Sequence, residues 1–237
     1  MKLLELTLPT PEENLACDEA LLEECEESSG EEVLRFWEPR EHFVVLGYGN
    51  RIESEVNMIF SRRESVPVLR RCSGGGTVVQ GPGCLNYALV LRIQPELQSI
   101  SQSNSFILRT HRQALQPLIR EAVEIQGFSD LAVHGAKFSG NAQKRKRQFM
   151  LFHGTFLLAV DIEFIERALP IPSKQPEYRS NRSHRDFLTN VAVEAATVKE
   201  ALKRAWGAAE VLREAPQQRV DSLIRNKYAT EEWRFKF

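Results

Sequence analysis

The run Arg70-Arg71-Cys72-Ser73-Gly74-Gly75-Gly76-Thr77-Val78-Val79-Gln80 sets two guanidinium groups beside three consecutive glycines, between two β-rich stretches. Without a Cβ the backbone can approach a ligand closely, and successive N–H groups can form an anion-binding nest. Adjacent arginines add charge-assisted contacts to phosphate or carboxylate oxygens. A plain turn rarely needs three glycines behind two arginines, so the run reads as a cradle for an anion. It is neither of the standard nucleotide cradles. No Gly-Lys pair occurs, which excludes a P-loop, and a dinucleotide fingerprint begun at Gly47, Gly74 or Gly81 meets Ile52, Val79 or Asn86 at its third small position.

Around this run the pattern is strand-rich. Apolar and polar residues alternate over 2–8, and β-prone stretches follow at 32–37, 43–46, 66–70, 77–80 and 85–93, then at 131–133, 137–139 and 148–160. Thr10, Pro11 and Glu13 signal the start of a helix running to about residue 27. On it Leu15, Asp18, Leu22 and Cys25 share one stripe, which brings an acid to the inward face; an edge position with partial exposure is the ordinary reading of such an acid. Further helices are predicted at 55–64 and 103–125, the latter kinked at Pro117, and in the C-terminal part after a Thr197/Glu200 capping box and after Pro216. Residues 170–184 form a polar loop bearing Pro and Arg. Meandering strands with helices clustered between and after them predict an α+β fold with a mixed, mostly antiparallel sheet flanked by helices, in a single domain over 1–237.

The composition fits a soluble protein with a sizeable core: 237 residues, 42% hydrophobic, 31 Lys+Arg against 32 Asp+Glu. That balance argues against a chain dominated by nucleic-acid electrostatics. Cys17, Cys25, Cys72 and Cys84 contain no C-x-x-C pair, so free thiols in a reducing cytoplasm are expected. No signal-peptide run opens the chain and charges interrupt every apolar stretch, so no membrane association is expected.

A second block, Lys137-Phe138-Ser139-Gly140-Asn141-Ala142-Gln143, is followed by His153-Gly154-Thr155 in an apolar strand. Alone, Lys137 reads as a surface lysine and His153 as a satisfied core histidine. The ordered set R-R-x-S-G-G-G-[TA]-V, K-x-S-G-x-A-Q and H-G-T resembles the lipoate-protein ligase family of the biotin and lipoate protein ligase superfamily. Residues 14–21 are similar to its N-terminal helix and 43–49 to the strand and turn before its first binding loop, and the resemblance covers roughly 10–190.

The resemblance implies a two-step reaction with ATP and Mg2+: lipoate becomes lipoyl-AMP, and the acyl group then passes to a lysine of a lipoyl acceptor domain. It implies that Lys137 contacts both the lipoyl carbonyl and the adenylate phosphate. ATP or adenylate would meet Arg70, Arg71, Ser73, Gly74, Gly75, Gly76, Thr77, Val78 and Val79; lipoate would meet Arg71, Gly75, Gly76, Lys137, Ser139, Gly140, Ala142, His153 and Gly154. Gln80-Gly81 stands where the family usually has His-Asp. The small C-terminal accessory domain of many ligases is not expected here, so a separate partner could supply it.

Two rival functions follow from the same residues. An octanoyl- or lipoyl-transferase would carry the acyl group on cysteine, yet residues 124–130, where one such family has its nucleophile, contain none, and none follows residue 84. Cys72 and Cys84 lie near the glycine run, where small buried thiols are the default. A noncatalytic acyl- or nucleic-acid-binding module would use Lys144-Arg145-Lys146-Arg147 as its basic patch, but no aromatic platform interleaves that run. The G-R-G-R-x-G-R loop of biotin ligases is absent.

Overall fold

The computed structural model describes every residue of the chain except Ser29 and Ser173. The first alternating residues form β1 (Lys2–Glu5) and lead into α1 (Pro11–Ser28). Thr10 caps that helix: its hydroxyl accepts the Glu13 N–H at 3.2 Å, and the Glu13 carboxylate accepts the Thr10 N–H at 2.7 Å. Next come β2 (Val33–Trp37), β3 (Phe43–Leu46), α2 (Ile52–Glu55), α3 (Met58–Arg63), β4 (Val68–Arg70), β5 (Val78–Gln80) and β6 (Cys84–Arg92). The helix expected over 55–64 is thus two short ones, because the Asn57 side chain accepts the Phe60 N–H and starts a new helix.

The long helix expected over 103–125 is α4 (Ile100–Leu115), opened by a Ser99/Gln102 capping box. It stops earlier than predicted. Pro117 sits in a single 3-10 turn, Gln116–Leu118, after which Ile119 is extended. The Gln116 amide stitches this reversal to Ile119, Glu121 and Val123, and the chain re-enters the sheet as β7 (Glu124–Gln126). The remaining elements are β8 (Asp130–Val133), β9 (Ala136–Arg145), β10 (Phe149–Leu157), α5 (Ile162–Ala168), α6 (His184–Phe187), α7 (Ala195–Trp206), β11 (Glu210–Val211), α8 (Gln217–Leu223) and α9 (Glu231–Arg234). The Thr197/Glu200 box does not form: α7 begins at Ala195 after Glu194, which places Thr197 inside the first turn instead of at the cap.

Eight strands form one sheet in the order β11-β1-β2-β6-β10-β9-β8-β7. Only β1 is parallel to its neighbours; every other pair in it is antiparallel. A second sheet, β4-β3-β5, stands beside it. The α+β expectation with mostly antiparallel pairing is met. One face of the large sheet packs Tyr87, Phe138, Phe152 and Phe156 against Ile107 and Leu108 of α4 and Leu202 of α7. The other packs Ala88, Val90 and Leu151 against Ala16, Ala20 and Leu21 of α1 and Val220 of α8.

The basic run is not a free patch. Lys144 and Arg145 belong to β9, Arg145 donates to the Leu97 carbonyl at 2.6 Å and the Gln98 carbonyl at 3.0 Å, and Lys146 pairs with Glu23 at 3.4 Å. The strand pairing that consumes these residues is invisible in a local charge count.

Candidate active site

Strand register brings the two sequence blocks together. His153 of β10 pairs with Ala142 of β9, Gly154 with Asn141 and Thr155 with Gly140. The loop between β4 and β5 crosses this point. A Cβ on Gly75 would lie 3.7 Å from the Ala142 Cβ, and the Ser73 hydroxyl lies 2.5 Å from His153 Nε2.

Arg71 shapes the loop from within. Its Nη2 donates to the Gly74 carbonyl at 2.5 Å and the Gly76 carbonyl at 2.8 Å, and its Nε donates to Ser73 Oγ at 3.1 Å. Burial draws its pKa down to about 10, which leaves the guanidinium charged at neutral pH. Gly75 has φ of +89°, a left-handed value that bulky residues avoid, and a Cβ there would also come 3.0 Å from Arg71 Nη2.

Arg70 faces the other way, as neighbours in an extended chain do. Its Nη1 donates to the carbonyls of Gly47, Tyr48 and Asn50 at 2.7–3.0 Å, while Nε and Nη2 reach those of Trp233 and Arg234 at 3.0 and 2.9 Å. In return Trp233 Nε1 donates to the Arg70 carbonyl at 2.8 Å. Arg70 therefore ties the cradle to the C-terminal segment and does not line the cavity, contrary to the nucleotide contact expected of it.

A cavity of about 420 Å³ opens between the loop, the sheet and residues 165–188, a size suited to a small-molecule substrate. Trp37, Val45, Val79 and Leu157 give it an apolar wall; Arg71, Asp130 and Lys137 give it charge, and His153 adds an imidazole. Of the residues singled out in the sequence, Arg71, Gly75, Gly76, Thr77, Val78, Val79, Lys137, Gly140, Ala142, His153 and Gly154 line it. Ser73, Gly74 and Ser139 do not. Ser73 lies behind the wall at 1% exposure, Gly74 points to solvent with its carbonyl held by Arg71, and Ser139 is fully buried beside Asn141.

Lys137 projects beside Asp130, with Nζ 2.8 Å from Oδ1, and Asp130 Oδ2 accepts from the Tyr178 hydroxyl at 2.7 Å. Burial and that carboxylate hold the Tyr178 hydroxyl well above the usual tyrosine range. Gly140 makes room for the lysine, since a Cβ there would lie 2.6 Å from Nζ. Across the cavity, His153 Nδ1 lies 3.2 Å from Asp18 Oδ2, and Asp18 Oδ1 lies 2.5 Å from Arg35 Nη1. Asp18 is 3% exposed, so the stripe position that ordinarily marks a partly exposed acid here holds a buried one. Gln80, in place of a histidine, donates to Thr155 Oγ1 at 2.7 Å and accepts from Asn86 at 2.9 Å, so the substitution completes a satisfied polar cluster.

Asp130, Tyr178 and Arg179 escaped the sequence reading. Asp130 opens a short strand whose register, Asp130 opposite Gly140, reveals it; the other two lie in a segment that reads only as a polar loop, in which Ser173 is outside the described residues. No described cysteine lines the cavity. All four are buried, and burial pushes the thiols up, to about 11 for Cys17 and Cys25 and about 12 for Cys72 and Cys84.

A family profile described as lipoyl protein ligase A/B catalytic domain matches residues 10–207. An octanoyltransferase LipM of Carboxydothermus hydrogenoformans is 30% identical over 95% of this chain and 94% of its own length. A lipoate-protein ligase 1 of Staphylococcus aureus is 29% identical over 95% of this chain and 70% of its own. In fold, the chain is similar to a bi-partite lipoate protein ligase of Thermoplasma acidophilum, with a TM-score of 0.83 and 24% identity over 99% of this chain and 96% of that one. A lipoate-protein ligase A bound with ATP gives 0.82 at 23% identity over 99% and 98%.

Proposed function

The chain belongs to the lipoyl protein ligase A/B catalytic-domain family of lipoate ligases and octanoyltransferases, and we propose that it is an ATP-dependent lipoate-protein ligase. The observation that carries this choice over a cysteine transferase is the cavity wall: among the described residues it holds lysines and arginines, Lys137 and Arg71 among them, and no thiol. A thiol nucleophile needs an accessible, lowered-pKa sulfur. The cysteines here are buried and shifted the opposite way.

In the proposed first step a lipoate carboxylate oxygen attacks the α-phosphorus of ATP and displaces pyrophosphate. In the second, the amine of an acceptor lysine attacks the acyl carbon, AMP leaves, and the amine loses a proton. Negative charge develops first on the phosphoryl oxygens and then on the acyl oxygen. The Lys137 ammonium, held on Asp130 beside Gly140, is a preorganised partner for both. The loop carbonyls of Gly74 and Gly76, held by Arg71, fix the backbone around which the nucleotide would fold. The apolar wall of Trp37, Val45 and Leu157 would take the acyl chain and limit hydrolysis of the adenylate.

The described residues offer no cluster of three metal-binding side chains. Mg2+ would therefore enter on the triphosphate, a common mode for that ion, and not in a protein cage. The partners in this reading are a lipoyl acceptor domain and a separate accessory subunit, in the cytoplasm; no described helix is long and apolar enough to cross a membrane.

The test is incubation of the purified chain with lipoate, ATP and Mg2+, with and without an acceptor domain. Pyrophosphate release and lipoyl-AMP are expected. ATP-independent transfer from an octanoyl carrier protein would instead place the chain with the octanoyltransferases, a reading favoured by its 30% identity to one of them.

A further inference from the structure

We propose that Arg179 is an additional oxyanion contact of this cavity, taking either a phosphate of the bound nucleotide or the carboxylate of the acyl acid. The inference rests on the ligase reading for the identity of its ligands. Arg179 lines the cavity and is only 4% exposed. Its Nε donates to the Arg182 carbonyl at 3.1 Å and its guanidinium lies 4.7 Å from the centre of the Phe187 ring. Nη2 is covered and has no hydrogen-bond partner among the described residues. A buried guanidinium with an idle donor is costly unless something else satisfies it.

The surrounding groups do not. The nearby acid Glu166 spends Oε2 on the backbone N–H of His184 at 2.7 Å and of Arg185 at 3.3 Å, and lies 3.5 Å from His184 Nδ1. No ion pair joins Glu166 to Arg179 among the described residues. Arg182, three positions on, shows what a purely architectural arginine looks like in this loop: it donates to the carbonyls of Gly135, Tyr178, Arg179 and Asp186. One arginine is consumed as a staple and the other is kept with a free donor.

The placement suits an anion held beside Lys137. Tyr178, adjacent to Arg179, donates to the same Asp130 that pairs with Lys137. At the far end of the segment, Leu188 bridges to Lys137, and the Thr189 N–H donates to the Lys137 carbonyl at 2.9 Å. Two cations borne on connected backbone thus converge on one cavity. A guanidinium can engage phosphate or carboxylate with two parallel N–H donors, which a lysine cannot.

The test titrates ATP and lipoate separately into the full chain as wild type, Arg179→Gln and Arg179→Lys, at low and high salt, by calorimetry. One ligand should lose about tenfold in affinity in Arg179→Gln, part of it regained in Arg179→Lys, with a weaker salt dependence in the Gln variant. Loss on the ATP arm identifies the phosphate, and loss on the lipoate arm the carboxylate. Affinities within about twofold of wild type on both arms overturn the proposal, as do equal losses in both variants with salt dependence unchanged, the mark of a structural role. A wild type that binds lipoate but not ATP removes the ligase reading while the lipoate arm still decides Arg179; one that binds neither removes both.

Discussion

His153 and Asp18 lie 135 positions apart in the chain, yet their Nδ1 and Oδ2 atoms are 3.2 Å apart inside the protein. The contact orients the imidazole: with Nδ1–H donating to the carboxylate, Nε2 accepts from the Ser73 hydroxyl at 2.5 Å. On the other side, Asp18 is held by Arg35, which is fully buried and also donates to the Asn14 and Leu6 carbonyls at 2.8 and 3.1 Å. A chain of polar contacts thus joins helix α1, strands β2 and β10, and the glycine loop.

Asp18→Ala should destabilise the fold by about 3 kcal/mol or more, because it leaves Arg35 charged and buried without its acid. Urea unfolding monitored by circular dichroism measures this. A loss below about 1 kcal/mol would mean that the Arg35 carbonyl contacts suffice.

Lys137→Ala should lower adenylate formation by roughly a hundredfold to a thousandfold, the usual cost of deleting one preorganised donor to a developing charge. Its melting temperature should stay near wild type, since Asp130 keeps the Tyr178 hydroxyl. Pyrophosphate exchange driven by lipoate is the assay; wild-type exchange in a folded variant removes Lys137 from the chemistry.

Gly75→Val places a branched side chain at φ of +89° and against Arg71 Nη2. Nucleotide and acyl binding should both fall sharply, while the distant sheet core stays folded. Unaltered affinity for both ligands would show that the loop is not the cradle.

Replacing Cys72 and Cys84 together by Ala should leave most ATP-dependent activity in place, because neither sulfur reaches the cavity. Mass spectrometry after a single turnover should find no acyl thioester. An acyl group trapped on either residue would reverse the choice between ligase and transferase.

Acid should destabilise the protein through His111. It is fully buried among Tyr87, Phe156 and Trp206, neither ring nitrogen has a partner among the described residues, and burial pulls its pKa down from 6.5 to about 3. The unfolded chain therefore binds this proton first as pH falls. Stability drops from about pH 6.5 toward pH 3, at up to about 1.4 kcal/mol per pH unit for this group. His184, drawn down to about 4, adds to the same trend, so the difference between wild type and His111→Leu isolates His111. Parallel stability profiles for the two proteins would contradict the assignment.

Local chemistry in the sequence marked the glycine run as a candidate cradle, because glycine runs and strand alternation act over a few residues, whereas Lys137 and His153 stood out only once the separated blocks were taken together. Local signals were also enough for α1 and for the strands that border the cradle. What it could not show depends on pairing between distant segments. Arg70 and Arg71 are indistinguishable as neighbours until the end of β4 sends them to opposite sides. Asp130 and Arg179 gain meaning only when β8 lies on β9 and the loop after α5 folds over Lys137. The α4 boundary was misjudged for a different reason: Pro117 ends the helix outright, and Gln116 supplies the contacts that turn the chain.

The attachment of Arg70 to Trp233 and Arg234 also sets an order of events during synthesis. The glycine loop is translated early, but the carbonyls that anchor its leading arginine arrive more than 160 residues later. Until residue 234 has left the ribosome, the glycine loop lacks one of its supports. A nascent chain can therefore assemble most of its large sheet before this loop is fully braced, so the loop's final shape waits on a segment far downstream of it.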